Sequence, residues 1–376
     1  MISTNNKRKT FLIVVSLLST ILIGNIYRKT YSDSEYIGLL GRQPVWMFKT
    51  TGRILSCLPD KNSGVFVYTT DAVYLVNSVT GELIWKTGLK ENTNTYDKYT
   101  IQTGIKSIEK VLVVQRGDGS IVSLSTENGQ MLWQGISKTG LPVFDMNIDR
   151  HFAYVARSSL SLDAYDTSTG EKVWSSDVPD RTSLYVFPET DKVYLGTSYI
   201  LFVYEAQTGN LLSEHRLDGF LGKMVVDSGS IYASYLNGKY SFTSLDAKTL
   251  EYRWVVPQDL LSLSEVNSIV VDDDVVYFSG NKLIALSATD GEILWVSDIK
   301  DIFGRAVIHK DFLIIQGKTQ IYVLNKVDGN LIGNQKISGF LPLLSWMLYA
   351  QANPCASDTT VWLASNSYLY AYDLSR

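Results

Sequence analysis

One phrase recurs along this chain: an apolar run, a short polar turn ending in glycine, three further residues, then tryptophan. LVNSVTGELIW ends at Trp85, SLSTENGQMLW at Trp133, AYDTSTGEKVW at Trp174 and VYEAQTGNLLS at Ser213. SLDAKTLEYRW ends at Trp254, ALSATDGEILW at Trp295 and VLNKVDGNLIG at Gly333. The turn position falls at Gly81, Gly129, Gly170, Gly209, Leu250, Gly291 and Gly329, so successive copies lie 38 to 48 residues apart. A repeat of that length is a supersecondary unit that buries its apolar face against its neighbours. Each unit holds four strand-like runs, which in the third read LPVFDMNI, HFAYVAR, LSLDAYDT and EKVWSSDV. Four short strands in about 40–45 residues is the pattern of a β-propeller blade.

The turn has a chemical basis. A short polar side chain ahead of it accepts from nearby backbone N–H groups, and glycine takes the positive φ that closes the hairpin. Leu250 breaks this rule, which predicts a turn of different construction in the fifth unit. The chain ends complete the count. Ala371-Tyr372-Asp373 opens another copy but stops before its glycine and tryptophan. The missing tryptophan position is met at the other end, by Trp46 in PVWMFKT. The last blade then takes its inner three strands from the C-terminus and its outermost strand from residues 44–50, leaving no open gap in the ring. Seven internal copies and one split copy predict an all-β, eight-bladed propeller over residues 44–376.

Ahead of it the composition changes. Residues 1–10 carry Lys7, Arg8 and Lys9, and residues 11–27 (FLIVVSLLSTILIGNIY) have no charge. A helix of that length reaches roughly 25 Å, within the range of a transmembrane segment. Basic residues before the run favour a cytoplasmic N-terminus and an exported body. An uncleaved signal anchor is the preferred reading over a cleaved signal peptide, because no Ala-x-Ala-like cleavage site follows. Residues 28–43 read as a linker. The net charge of −4 argues against a nucleic-acid surface.

The Ala-x-Asp-x-x-Thr-Gly-x-x-x-Trp pattern, met in full by Ala164, Asp166, Thr169, Gly170 and Trp174, resembles the tryptophan-docking motif of the quinoprotein-like propellers. That family includes pyrroloquinoline-quinone dehydrogenases and the outer-membrane barrel-assembly propeller lipoprotein. The resemblance implies that Trp46, Trp85, Trp133, Trp174, Trp254 and Trp295 pack between neighbouring blades, while Ser213 and Gly333 leave two looser joints. Catalytic members hold a quinone on the axis, many with a vicinal disulfide and a calcium ion. This chain has no Cys-Cys pair and no insertion bearing Glu, Asn and Asp together. The resemblance therefore implies the non-catalytic branch, with no cofactor and no catalytic residues. The lipoprotein's anchoring cysteine is also missing, since none follows the apolar run.

No other constellation carries chemistry. His151, His215 and His309 lie on different blades without partners at metal-ligand spacing. Asp272-Asp273-Asp274 reads as a hairpin turn, without the alternating oxygens of a calcium loop. Lys110, Asp227 and Arg305 are candidates for lining an axial channel. Two segments exceed the repeat and are candidates for contacting a protein partner. ENTNTYDKYT offers Tyr96 and Tyr99, and the apolar stretch GFLPLLSWMLYAQANPCASDT offers Trp346 and Met347. Packing over the ring closure is the alternative use of that stretch. The two cysteines, Cys57 and Cys355, fall in equivalent loops of blades 1 and 8. They are either buried thiols or a disulfide across the seam. The expected function is a membrane-anchored, extracytoplasmic interaction scaffold, with a small-ligand or quinone-binding funnel as the alternative.

Overall fold

The computed structural model describes residues 39–62, 64–89, 104–135, 143–179, 185–256, 266–297, 299, 302–317, 320–336 and 353–374. They form eight antiparallel four-stranded sheets. In blades 1 to 7 the strands pair in chain order from the innermost outward. Blade 3 is representative, with Val143–Ile148 innermost, then Phe152–Arg157, Ser161–Asp166 and Lys172–Asp177. Blade 8 is the split one. Cys355–Ala356, Val361–Ser365 and Tyr368–Tyr372 come from the C-terminus, and Trp46–Lys49 pairs outside them, Trp46 against Ala371. Each innermost strand touches the next around the axis, and Ile54–Asp60 of blade 1 meets Cys355–Ala356 of blade 8. The ring is closed.

Burial follows from this layering. The second and third strands of each blade face a neighbour on both sides and are buried along nearly their whole length, as in Gly64–Thr69. Such strands read as continuous apolar runs, not as alternation. The outermost strands bury little besides their tryptophan: in Lys172–Asp177, Trp174 is the one buried residue.

That tryptophan locks one blade to the next. Its indole Nε1 donates to a backbone carbonyl three residues ahead of the following blade's turn glycine. The acceptors are Ser78 for Trp46, Thr126 for Trp85, Thr167 for Trp133, Ala206 for Trp174, Ala288 for Trp254 and Lys326 for Trp295, at 2.8–3.1 Å. The ring meanwhile lies on the glycine itself. A Cβ added to Gly170 would sit 2.6 Å from the Trp133 ring. With φ at +74° as well, this position needs glycine twice over. Upstream, Asp166 Oδ1 accepts from the N–H groups of Ser168 and Thr169, both at 2.8 Å, and holds the turn that presents the glycine.

The two exceptions to the motif are filled, not loose. Ser213 should dock on blade 5, whose turn carries Leu250 instead of glycine. That turn is built like the others: Leu250 takes φ +61° and its N–H donates to Asp246 O at 2.8 Å, as Gly170 does to Asp166 at 2.9 Å. The leucine side chain, 6% exposed, occupies the space a tryptophan would claim, packed with Tyr194 and Leu217. Tyr194 Oη donates to Ala247 O at 2.9 Å, the carbonyl that an indole would otherwise reach. Between blades 7 and 8, Leu40 lies over Gly333, where an added Cβ would meet its Cδ2 at 2.5 Å. Beside it Leu39 is fully buried, and Arg42 donates from Nη1 to Asp373 O at 3.1 Å. The expected atypical turn and looser joints are thus corrected: at the first joint Leu250 replaces the turn glycine and matches the tryptophan lost at Ser213, and at the second Leu40 covers Gly333.

This pairing predicts a coupled result. Ser213→Trp alone clashes with Leu250 and destabilises, and Leu250→Gly alone leaves a cavity costing about 2–5 kcal/mol. The double variant recovers most of the loss, giving a coupling energy beyond roughly 1 kcal/mol in a double-mutant cycle by chemical denaturation. Additive losses would show that the two positions do not share one space.

Candidate functional site

Blades repeat one connectivity, so all eight innermost strands run the same way along the axis and their first residues collect at one mouth. Charge collects there. Lys106 is second in Ile105–Ile108, Asp145 third in Val143–Ile148 and Tyr185 first in Tyr185–Glu189. Lys223 and Arg305 are each fourth, in Phe220–Asp227 and Ile302–His309. Five blades thus contribute to one funnel, and the field of Arg305 reaches the other four groups.

Its walls are held by hydrogen bonds between adjacent blades. Asp145 Oδ2 accepts from Val186 N at 2.9 Å, and Asn147 Nδ2 donates to Val186 O at 3.0 Å. Tyr185 Oη donates to Gly222 O at 2.6 Å, while Lys223 Nζ stands 5.4 Å from the Tyr185 ring centre. Asn267 Nδ2 donates to Ile302 O at 3.2 Å, and Arg305 N donates to Asn353 Oδ1 at 3.0 Å. Burial dominates the electrostatics. It lowers the Lys106 pKa, which Arg305 lowers further and Asp145 partly restores. Lys223 is lowered by burial and then by Arg305. Burial raises the Asp145 carboxyl against the pull of the Val186 N–H and Lys106. Tyr185 is raised by burial and by Asp145.

Of the channel residues read from sequence, Arg305 belongs to this funnel. Lys110 does not: it is exposed and pairs with Glu127 at 2.8 Å. Asp227 is exposed at the far end of its strand. Lys106 and Lys223 were missed because their innermost strands start earlier than apolarity suggests, while Asp145 and Tyr185 gave no local sign of facing the axis. In blade 2 the innermost strand is IKSI, which ends before Lys110, and VLVVQ is the second strand. Tyr96, Tyr99, Trp346 and Met347 lie outside the described residues, as does the 11–27 run. Among the described residues no helix is long and apolar enough to cross a membrane, and no group of three or more His, Cys, Asp or Glu is placed to hold a metal ion. His309 is buried, with Nδ1 2.6 Å from Ser357 O.

A second concavity of about 670 Å³ lies at the outer joint of blades 3 and 4, lined among others by Leu160, Val178, Phe202, Tyr204 and Leu211. It carries no charge pattern comparable with the funnel.

Cys57 and Cys355 form a disulfide with Cα atoms 6.0 Å apart, spanning 298 residues. They sit within the innermost strands Ile54–Asp60 and Cys355–Ala356, not in loops after and before strands. The apolar pattern misplaced them because those strands are only partly buried.

Fold and ring geometry define an eight-bladed propeller of the tryptophan-docking class. Within that class the chain belongs to the family described as outer membrane protein assembly factor BamB, whose model matches residues 40–186 and 158–376. The crystal structure of BamB from Moraxella catarrhalis is similar over 88% of this chain and 99% of its own, with a TM-score of 0.67 at 15% identity. A computationally designed protein, Ika8, matches 87% of this chain and 99% of its own, with a TM-score of 0.69 at 14% identity. At such identities the likeness is one of fold. Among curated proteins none matches the sequence.

The calcium ion that accompanies the quinone in catalytic quinoproteins does not fit the described residues of this funnel. Such an ion needs several converging oxygen ligands. The charged groups here are three cations and one carboxylate, already engaged by a backbone N–H.

The disulfide predicts that peptide mapping without reductant, on protein from its native compartment, recovers Cys57 and Cys355 as one linked pair. Cys57→Ser should then lower stability by roughly 2–5 kcal/mol, given the long loop closed. Two free thiols in the mapped protein would refute the link.

Proposed function

We propose that this chain is a non-catalytic scaffold propeller in the assembly of outer-membrane proteins, working through a protein partner in the envelope. The match to the assembly-factor family along residues 40–376 carries this reading. The finer part, also ours, is that residues 11–27 form an uncleaved anchor holding the propeller on the extracytoplasmic side of a membrane.

The surface supports a role in binding extended chains. Each blade ends in an outermost strand paired on one side only. Such an edge can accept a further strand from a partner. These edges carry exposed apolar pairs: Leu83 and Ile84, Met131 and Leu132, Leu211 and Leu212, Leu331 and Ile332. Blade 4 is the most open, because Leu211–Arg216 lacks the docking tryptophan and borders the groove of about 670 Å³. The alternative, a ligand-binding funnel, has the charge cluster in its favour and is compatible with scaffolding.

The test is a photo-crosslinking residue placed in the full-length chain in cells. At Leu212 and Ile332 it should capture one discrete envelope protein, while at Lys61, on a turn at the opposite edge of its blade, it should not. Equal, diffuse labelling from all three positions would count against the scaffold. Intact-mass measurement of the same membrane-extracted protein should show residues 1–27 retained, and their loss would replace the anchor with a cleaved signal.

A further inference from the structure

The funnel holds an unbalanced charge. Among the described residues Lys106, Lys223 and Arg305 share it with one carboxylate, Asp145, an excess of two cationic side chains in a chain whose net charge is −4. Asp145 does not pair with any of them at salt-bridge distance; its Oδ2 is taken by Val186 N. Among the described residues, the Lys106 ammonium and the Arg305 guanidinium have no hydrogen-bond or ion-pair partner, and Lys223 has the Tyr185 ring face alone. Unpaired cations crowded by a protein wall are electrostatically costly, and an anion placed between them removes that cost.

The opposite mouth has the other sign. In blades 1 to 6 the innermost strand ends on, or is followed at once by, an acidic residue: Asp60, Glu109, Asp149, Glu189, Asp227 and Asp272. Two of these are paired with cations, Glu109 with Arg150 and Asp272 with Lys326, and the remaining carboxylates favour a negative ligand at the end where the strands begin. A channel lined only for ordered water needs donors and acceptors in similar number. This one presents cationic donors from three blades.

We propose that the funnel is a binding site for a small multivalent anion, a phosphate or a short polycarboxylate, held between Lys106, Lys223 and Arg305. The walls suit the task because they are set in advance. Tyr185 is tied to Gly222, Asp145 to blade 4, and the Arg305 backbone to Asn353. The site is independent of the scaffold reading, since no outermost strand takes part in it.

Isothermal titration of the full-length protein in neutral detergent, at low ionic strength, tests this with inorganic phosphate and with citrate. Sodium chloride at matched ionic strength is the control. Saturable one-to-one binding of either anion is expected, and whichever binds more tightly identifies the oxyanion type. Arg305→Ala and Lys223→Met should each weaken it by roughly tenfold, the size of one charge-assisted contact. Lys110→Ala, on the turn at the opposite mouth and paired with Glu127, should leave it unchanged. Arg305 is exposed, so its variant keeps the fold and decides the matter if Lys223→Met does not fold. No saturable binding of either anion at millimolar concentration, or undiminished affinity in Arg305→Ala, overturns the proposal.

Discussion

The contact between an indole ring and a turn glycine of the next blade organises this molecule. A four-stranded sheet cannot bury both faces alone, and here each does so by adopting its neighbour as a partner. The tryptophan supplies a large apolar face and one donor, the turn supplies a carbonyl and a place without a side chain. Sheet twist, inner-strand contacts and the closing of the ring all require the blades to be held at a constant angle. Only a contact repeated with the same geometry can do that. Conservation of geometry, not of residue, is what the structure maintains: where Ser213 replaces tryptophan, Leu250 and Tyr194 rebuild the face and the donor between them.

Most of the fold was legible because its rule is local. Glycine in a positive-φ turn and tryptophan four residues later mark a hairpin and its docking face without knowledge of anything distant. The split blade was legible for the same reason, since half a motif at one end is completed by Trp46 at the other. What escaped was non-local. Leu250 looked like a defect because its partner, the absent tryptophan at Ser213, lies 37 residues earlier. The funnel escaped too. Arg305 was read as a channel residue, but Lys106, Asp145 and Lys223 belong to strands that expose one face to the axis, so they interrupt the apolar runs by which strands are recognised. Their convergence depends on the shared direction of strands far apart in sequence, which no single window reveals.

Closure places structure and site in one frame. The same parallel alignment of innermost strands that brings Ile54–Asp60 beside Cys355–Ala356 gathers the charged residues at a single mouth. Outer strands and inner strands are then free to serve different ends. The former present edges to the surroundings, and the latter set a field along the axis.

The two joints made without tryptophan lie between blades 4 and 5 and between blades 7 and 8. Leu250 with Tyr194 fills the first and Leu40 the second, so at these two points the ring is held by other side chains in place of an indole on glycine. Together they mark a line that parts the ring into two arcs, one of blades 5 to 7 and one of blades 8 and 1 to 4. The disulfide stiffens the longer arc and leaves the line uncrossed by any covalent staple. Lys106 and Asp145 ride on the longer arc, Lys223 and Arg305 on the shorter. The cations of the funnel therefore stand on both arcs, and the packing of these two seams fixes the spacing between Lys106 on one side and Lys223 and Arg305 on the other.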